Sequence, residues 1–238
     1  MLNSVLQKAK AAYWAVMRDR SEVRTVLRFL RDTRLDSTSR ILDVGCGYGR
    51  ILNVLSRGGY CPVGVEINAE IRNEITSAGF PCLAPDDFQQ CTTIWDAVIM
   101  SHVIEHFSFA SLLEFMETYV AKLRPEGYLI IVTPLASRHF YDTCDHVRPY
   151  PPNAVTEIVG PRGTQIQRQL SGELVLEKLW FRRRSLLITN TLCMQRPTFS
   201  AGKLSVGLAN VILRILFLAS FGIVGVRDGW IGLYRKSS

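Results

Sequence analysis

The chain contains no CxxC pair, no internal repeat, no low-complexity tract and no long apolar run near its start. Each absence removes a class of protein. The six cysteines (Cys46, Cys61, Cys82, Cys91, Cys144 and Cys193) are scattered, so a dense disulfide framework is excluded, and reduced thiols in a cytosolic protein are expected. Residues 1–20 interleave apolar positions with Lys8, Lys10, Arg18 and Arg20, so no signal peptide is expected there. With 47% hydrophobic and 21% charged residues, the chain is neither disordered nor collagen-like. Its 238 residues suit one core with appendages better than two small domains.

Charge is present, but unevenly. The net charge is +7, yet residues 1–40 hold 9 basic and 4 acidic groups, and residues 41–160 hold 7 and 14. Residues 161–238 hold 12 and 3. An acidic middle therefore lies between basic flanks. The basic surplus would permit nucleic-acid binding. No RNA-binding module and no basic–aromatic platform accompanies it, so nucleic acid is not expected as a partner.

Two amphipathic helices are expected within residues 1–39. Leu2, Val5, Leu6, Ala9, Tyr13, Val16 and Met17 form one stripe, and Val23, Val26, Leu27 and Leu30 a second. Beyond Asp36–Ser39, short apolar runs alternate with helical patterns. The runs fall at Arg40–Val44, Pro62–Glu66, Pro81–Leu83, Asp96–Ser101 and Tyr128–Thr133. Helical patterns fall at Tyr48–Arg57, Asn68–Ser77 and Ser111–Lys122, with glycines after the first two. Strand–helix alternation implies βαβ units and a parallel sheet covered on both faces. Residues 135–172 form a proline-rich connection with a short helix near Asn153–Val159; Leu174–Phe181 and Trp230–Arg235 read as late strands.

The sharpest local signal is Ile41-Leu42-Asp43-Val44-Gly45-Cys46-Gly47-Tyr48-Gly49-Arg50. Here a strand runs into alternating glycines and then a helix. Glycines allow a tight turn and close approach to a ligand, and the helix start offers free N–H groups. The spacing is GxGxG and not the GxGxxG that seats a pyrophosphate. Asp43 precedes the loop, where it would repel phosphate and attract a cation. Glu66 ends the second strand, where an acid can accept ribose hydroxyls. Together these residues point to a nucleoside with a positive end and no phosphates.

With these motifs in order, the sequence resembles the class I S-adenosylmethionine-dependent methyltransferases. The motifs are Asp43–Gly49, Val63–Ile67, Trp95–His106 and Leu123–Ile131, the last with Glu126 where a glycine is usual. The resemblance covers about residues 40–135 and implies a Rossmann-like, doubly wound, mostly parallel seven-stranded sheet. It places the methyltransferase domain at 40–238, with 135–172 as an acceptor-side connection. S-adenosylmethionine is the implied cofactor. Gly45, Cys46, Gly47 and Gly49 would line its methionine and ribose portion, with Asp43 facing the amino group. Glu66 would bind the ribose, Ile67 would pack on adenine, and Asp86 or Asp87 would accept from the adenine amino group. Ser101 and His102 would border the sulfonium and the acceptor.

The acceptor side is less defined. His102-Val103-Ile104-Glu105-His106 fits H-x-x-E-H, which on a helix places two imidazoles on one face. No third ligand is evident, and no metal is expected. The stretch His146-Val147-Arg148-Pro149-Tyr150 resembles one in methyltransferase domains associated with surface-polysaccharide synthesis. His146 or His102 would act as base, and Arg148 and Tyr150 would bind the acceptor, a glycan, lipid-linked or quinone-like molecule. A fixed proline loop with Arg148 paired to Asp142 or Asp145 is the alternative. A non-catalytic module of the same fold is the competing function, although Asp43, Gly45 and Glu66 are all intact.

The tail, residues 203–226, is a hydrophobic helix inserted before the last strand. Arg214 at its middle argues against spanning a membrane. Lys203, Gly207, Asn210 and Arg214 make a narrow polar stripe. An interfacial helix on an anionic membrane and a lid or dimer contact both fit. A cytoplasmic protein with peripheral contact at the inner membrane face is the expected setting; the oligomeric state stays open.

Overall fold

The computed structural model describes residues 22–137, 140–161, 170–188, 201–220 and 222–238, with side chains of 201–203 left aside. The first of the two expected N-terminal helices, like Cys193, lies outside the described residues. The second is α1, residues 22–31, which buries Val23, Val26, Phe29 and Leu30.

The strands are β1 (Arg40–Val44), β2 (Cys61–Val65), β3 (Cys82–Leu83), β4 (Trp95–Ser101), β5 (Leu123–Pro134), β6 (Leu174–Arg184) and β7 (Val226–Lys236). They form one sheet in the order β3-β2-β1-β4-β5-β7-β6. The five inner strands are parallel, with Asp43 of β1 opposite Gly64 of β2 and Ile99 of β4. β7 runs against both neighbours. Its far end meets β6 through the Ser237 N–H on the Glu173 carbonyl, while Asp228 near its start meets Arg182. Arg235 reaches Glu126 near the start of β5. The sheet is thus mixed, with two antiparallel pairings at one side.

The intervening helices are α2 (Arg50–Arg57), α3 (Ala69–Ser77), α4 (Pro85–Gln90), α5 (Phe109–Val120) and α6 (Pro152–Val159). α2 buries Ile51, Leu52 and Leu55 on one face and stops at Gly58. Each such side chain contributes roughly 1.5–3 kcal/mol by leaving water. The Asn68 side chain accepts from the Glu70 and Ile71 N–H groups and caps α3, while Ser108 caps α5. α4 was not legible as a helix: its six residues give barely one turn of pattern, and Pro85 at the first position starts it.

β4 and β5 slip register between Trp95 and Ala97, where the β5 backbone turns at Pro125–Gly127. Glu126 takes φ +61 there. This left-handed backbone is the physical reason a glycine suits the position; here the Glu126 carboxylate pairs with Arg235 instead.

The chain divides into two compact units. One comprises residues 1–180 and 230–238 and holds the sheet core around Leu30, Ile41, Ile99 and Ile130. The other, Phe181–Gly229, contains helix α7 (Ala201–Ala219) and the adjoining ends of β6 and β7. Inside it Arg182 and Arg184 both meet the buried Asp228 carboxylate, at 2.9 and 3.5 Å.

Candidate active site

The strand order reverses between β1 and β4, and in open α/β sheets ligands enter at the strand ends beside such a point. The glycine loop starts there. Gly45, Gly47 and Gly49 have φ of +67, +50 and +72. Space as well as conformation demands glycine at two of them. A Cβ on Gly45 would lie 2.7 Å from Val103 Cγ2, and one on Gly49 2.6 Å from Ile75 Cδ1. The Gly45 and Cys46 N–H groups both donate to the Val65 carbonyl, which ties the loop to β2.

Glu66 closes the loop from the other side. Its Oε2 accepts from the Gly47 N–H at 3.0 Å and its Oε1 from the Asn68 N–H at 2.9 Å. Each oxygen retains a lone pair for a further donor. Ile67 beside it is 82% exposed, an apolar face open to a flat ring. Asp86 and Asp87 lie in the first turn of α4 and are both exposed. Cys46 is buried, with its sulfur 3.7 Å from Cys82.

Asp43 is the anomaly of the site. It is 1% exposed, and neither carboxylate oxygen has a hydrogen-bond partner among the described residues. Burial pushes its pKa up to about 7; Arg50 opposes the shift and Glu66 adds to it. A buried carboxyl left unsatisfied costs free energy that a cationic ligand group would recover. A phosphate would worsen the cost. The orphaned acid, the glycine cradle and the ribose-compatible glutamate all fit S-adenosylmethionine, which carries an ammonium group and a nucleoside without phosphate.

At the end of β4 the backbone does not enter a helix directly. His102 takes φ +57, and only a short 3-10 turn, Ile104–His106, follows. His102 and His106 therefore do not share a helical face. The His102 Nδ1 donates to Glu105 Oε1 at 3.1 Å and Nε2 to Glu22 Oε2 at 3.3 Å. Burial opposes charge on this ring, but the two carboxylates outweigh it and raise its pKa to about 9. A ring protonated on both nitrogens would bridge the two carboxylates and keep no lone pair for an acceptor proton. Ser101 receives the Arg50 guanidinium at 3.4 Å.

Two members of this cluster were not singled out in the sequence. Glu22 of α1 is buried and also lies 3.8 Å from Arg50. It falls on the stripe of Val26 and Leu30, and an acid on an apolar stripe is the signal that could have found it. Thr133 donates to Glu105 Oε2 at 3.0 Å, and the Glu105 carbonyl accepts from the Val147 and Arg148 N–H groups. Glu105 thereby anchors the loop that follows β5.

On that loop the His146 Nδ1 donates to the Phe140 carbonyl at 2.9 Å, which leaves Nε2 with its lone pair. Its ring lies 5.1 Å from that of His106, which bonds the Asp145 carbonyl and carboxylate. One ligand-type atom from each of Glu105, His106 and His146 lies within 4.8 Å of the others, although both Glu105 oxygens already serve His102 and Thr133. Arg148 lies over the Tyr150 ring at 5.6 Å. Tyr150 itself is 1% exposed, its hydroxyl donates to the Phe107 carbonyl, and its carbonyl accepts from Trp230 Nε1. Its hydroxyl and carbonyl are both engaged with the scaffold, which pins the loop.

Comparison with known proteins agrees with this geometry. The methyltransferase-domain family matches residues 13–183. No curated protein sequence matches the chain. A S-adenosylmethionine-dependent methyltransferase from Archaeoglobus fulgidus is similar in structure, with a TM-score of 0.55 at 18% identity, over 94% of this chain and all of that one. The magnesium protoporphyrin IX methyltransferase of Synechocystis PCC 6803, crystallised with S-adenosylhomocysteine, gives 0.58 at 14% identity, over 93% of this chain and 84% of that one. A methyltransferase-like structure from Bacillus halodurans C-125 gives 0.56 at 16% identity, over 92% and 100%. At these identities the likeness speaks for the fold; the family match covers most of the chain. With the fold, the loop and the orphaned Asp43 in agreement, the chain belongs to the methyltransferase-domain family and is a class I S-adenosylmethionine-dependent methyltransferase.

Proposed function

We propose that the protein methylates a hydroxyl group of a glycan, lipid-linked or quinone-like acceptor, and that it works in peripheral contact with an anionic membrane surface. The cofactor supplies a methyl group already activated by its sulfonium, so the chain's task is alignment and charge placement. In this reading Asp43 accepts the amino group of the cofactor. Glu66 takes the ribose hydroxyls, the glycine loop with Cys46 follows the methionine chain, and Ile67 covers the adenine. Asp86 or Asp87, at the start of α4, receives the adenine amino group.

On the acceptor side His146 is the base. The support is its tautomer: with Nδ1 donating to the Phe140 carbonyl, Nε2 is the nitrogen free to take a hydroxyl proton. His102, held as a cation by Glu22 and Glu105, keeps the end of β4 and Ser101 in position. Arg148 supplies positive charge for an anionic acceptor group. The 135–172 connection, anchored on Glu105 and Tyr150, forms the acceptor side, and the basic, apolar 203–226 region makes the membrane contact.

The observation that carries the cofactor half is the buried Asp43 carboxyl, which has no hydrogen-bond partner among the described residues. Calorimetric titration of the purified protein with S-adenosylmethionine tests it beside Glu66→Ala. Micromolar binding that the variant weakens by at least about tenfold is expected, the worth of one or two charge-assisted hydrogen bonds. Equal binding by both would remove Glu66 from the site.

A further inference from the structure

Helix α7 is inside out. Its polar residue Asn210 turns toward its own unit, where its side chain accepts from the Ile188 N–H at 2.7 Å and donates to the Ile188 carbonyl at 3.0 Å. Arg214, one turn on, is half-buried. The outward face is instead aliphatic: Leu204, Leu208, Val211, Ile212, Ile215 and Leu218 are each at least half exposed. Their spacings of 4, 3, 1, 3 and 3 keep them on one side of the helix. Ile223 and Val224 in the turn that follows, and Leu186 and Leu187 after β6, are exposed as well. A helix facing water would present the opposite pattern, and a contiguous apolar face of this kind marks an interaction surface.

The same unit is strongly cationic. Residues 181–229 contain seven arginines and lysines against one acid, Asp228. That acid is already engaged by Arg182 and Arg184. The exposed Arg183 donates to the Ile223 carbonyl, and the exposed Arg227 lies over the Phe181 ring at 4.2 Å; both are held beside apolar residues. Pairing two copies face to face would oppose two such surpluses of positive charge. An anionic bilayer offers both complements at once, acyl chains for the aliphatic face and lipid headgroups for the cations. Among the described residues no helix is long and apolar enough to cross a membrane.

We propose that the outward aliphatic face of α7, bordered by Arg183 and Arg227, is the surface by which this protein docks on an anionic lipid bilayer. The proposal rests on the peripheral membrane contact inferred above and names the face and the lipid class that make it.

The test is co-sedimentation of the full chain with phosphatidylcholine vesicles, with and without phosphatidylglycerol, at low and high salt. Binding to the anionic vesicles is expected, falling at least about tenfold in high salt as the charges are screened. Leu208→Asp with Ile212→Asp should lose vesicle binding at least about tenfold while cofactor titration stays unchanged, which shows that the variant is folded. On the parent protein, amides of residues 204–219 should exchange more slowly when anionic vesicles are present. If the variant sediments like its parent and those amides are unaffected, this face is overturned while membrane contact stands. If the parent ignores the vesicles, both fall, and a twofold mass that the variant halves would assign the face to a second copy. Equal binding to neutral and anionic vesicles would overturn the lipid class.

Discussion

Asp43 shows how one residue can be stable only in company. Its carboxyl is buried opposite Gly64, without a donor among the described residues, and its pKa stands near 7. Because this folded value lies above the unfolded one of 3.8, the group costs stability as pH rises from about 4 to 7, by up to about 4 kcal/mol. Asp43→Asn should therefore melt higher than the parent at pH 8 without cofactor, and the advantage should vanish at pH 4. Thermal denaturation at the two pH values checks it. The linkage runs the other way for the ligand. Below pH 7 an ammonium must displace the Asp43 proton, so cofactor affinity should fall by up to about tenfold per pH unit, with proton uptake by the buffer during calorimetric titration. The Asn variant should lose this dependence together with most of its affinity.

Among the elements, α1 and the end of β4 form one assembly. A single imidazolium, His102, joins Glu22 of the helix to Glu105 below the acceptor loop, and its left-handed backbone is held by that pairing. The groups facing it are Glu22 and Glu105, with Arg50 behind Glu22. Its folded pKa near 9 exceeds the ordinary 6.5, so its stabilising contribution is complete below about pH 6.5 and is lost as pH rises through 9. Glu22→Gln should lower that pKa by about one unit, measured by the imidazole proton shifts. An unchanged titration would mean that Glu105 alone holds the charge. In the outer part of β6 and β7, Asp228→Ala should destabilise the protein by roughly 3 kcal/mol in chemical denaturation, since it removes a buried carboxylate that two arginines share. Asp228→Asn, which keeps hydrogen bonds but not charge, should recover part of the loss.

For the whole molecule, the chain divides into a sheet unit and the unit 181–229. In the function proposed above, the acidic middle of the sequence would carry the cofactor machinery and the basic tail the docking face. The first job should survive changes to the second. Retained cofactor binding in the α7 variant, measured beside its vesicle binding, reports on that separation directly.

The sequence alone determined the sheet, the glycine loop and the family, because each of these is written in local patterns. Apolar runs of strand length, glycines at positions needing positive φ and an acid one βα unit later are legible without any tertiary contact. The burial of Tyr150 leaves no mark on a lone tyrosine in the sequence, and α4 is too short to show a period. His102 and Glu22 lie 80 positions apart, so no local pattern could couple them. The polar stripe of α7 was visible, but which way it faced depended on Ile188, whose backbone took Asn210 and turned the aliphatic side outward. Chain order specified the elements; the partner of each buried charge and the outward side of each helix were decided only when distant segments met.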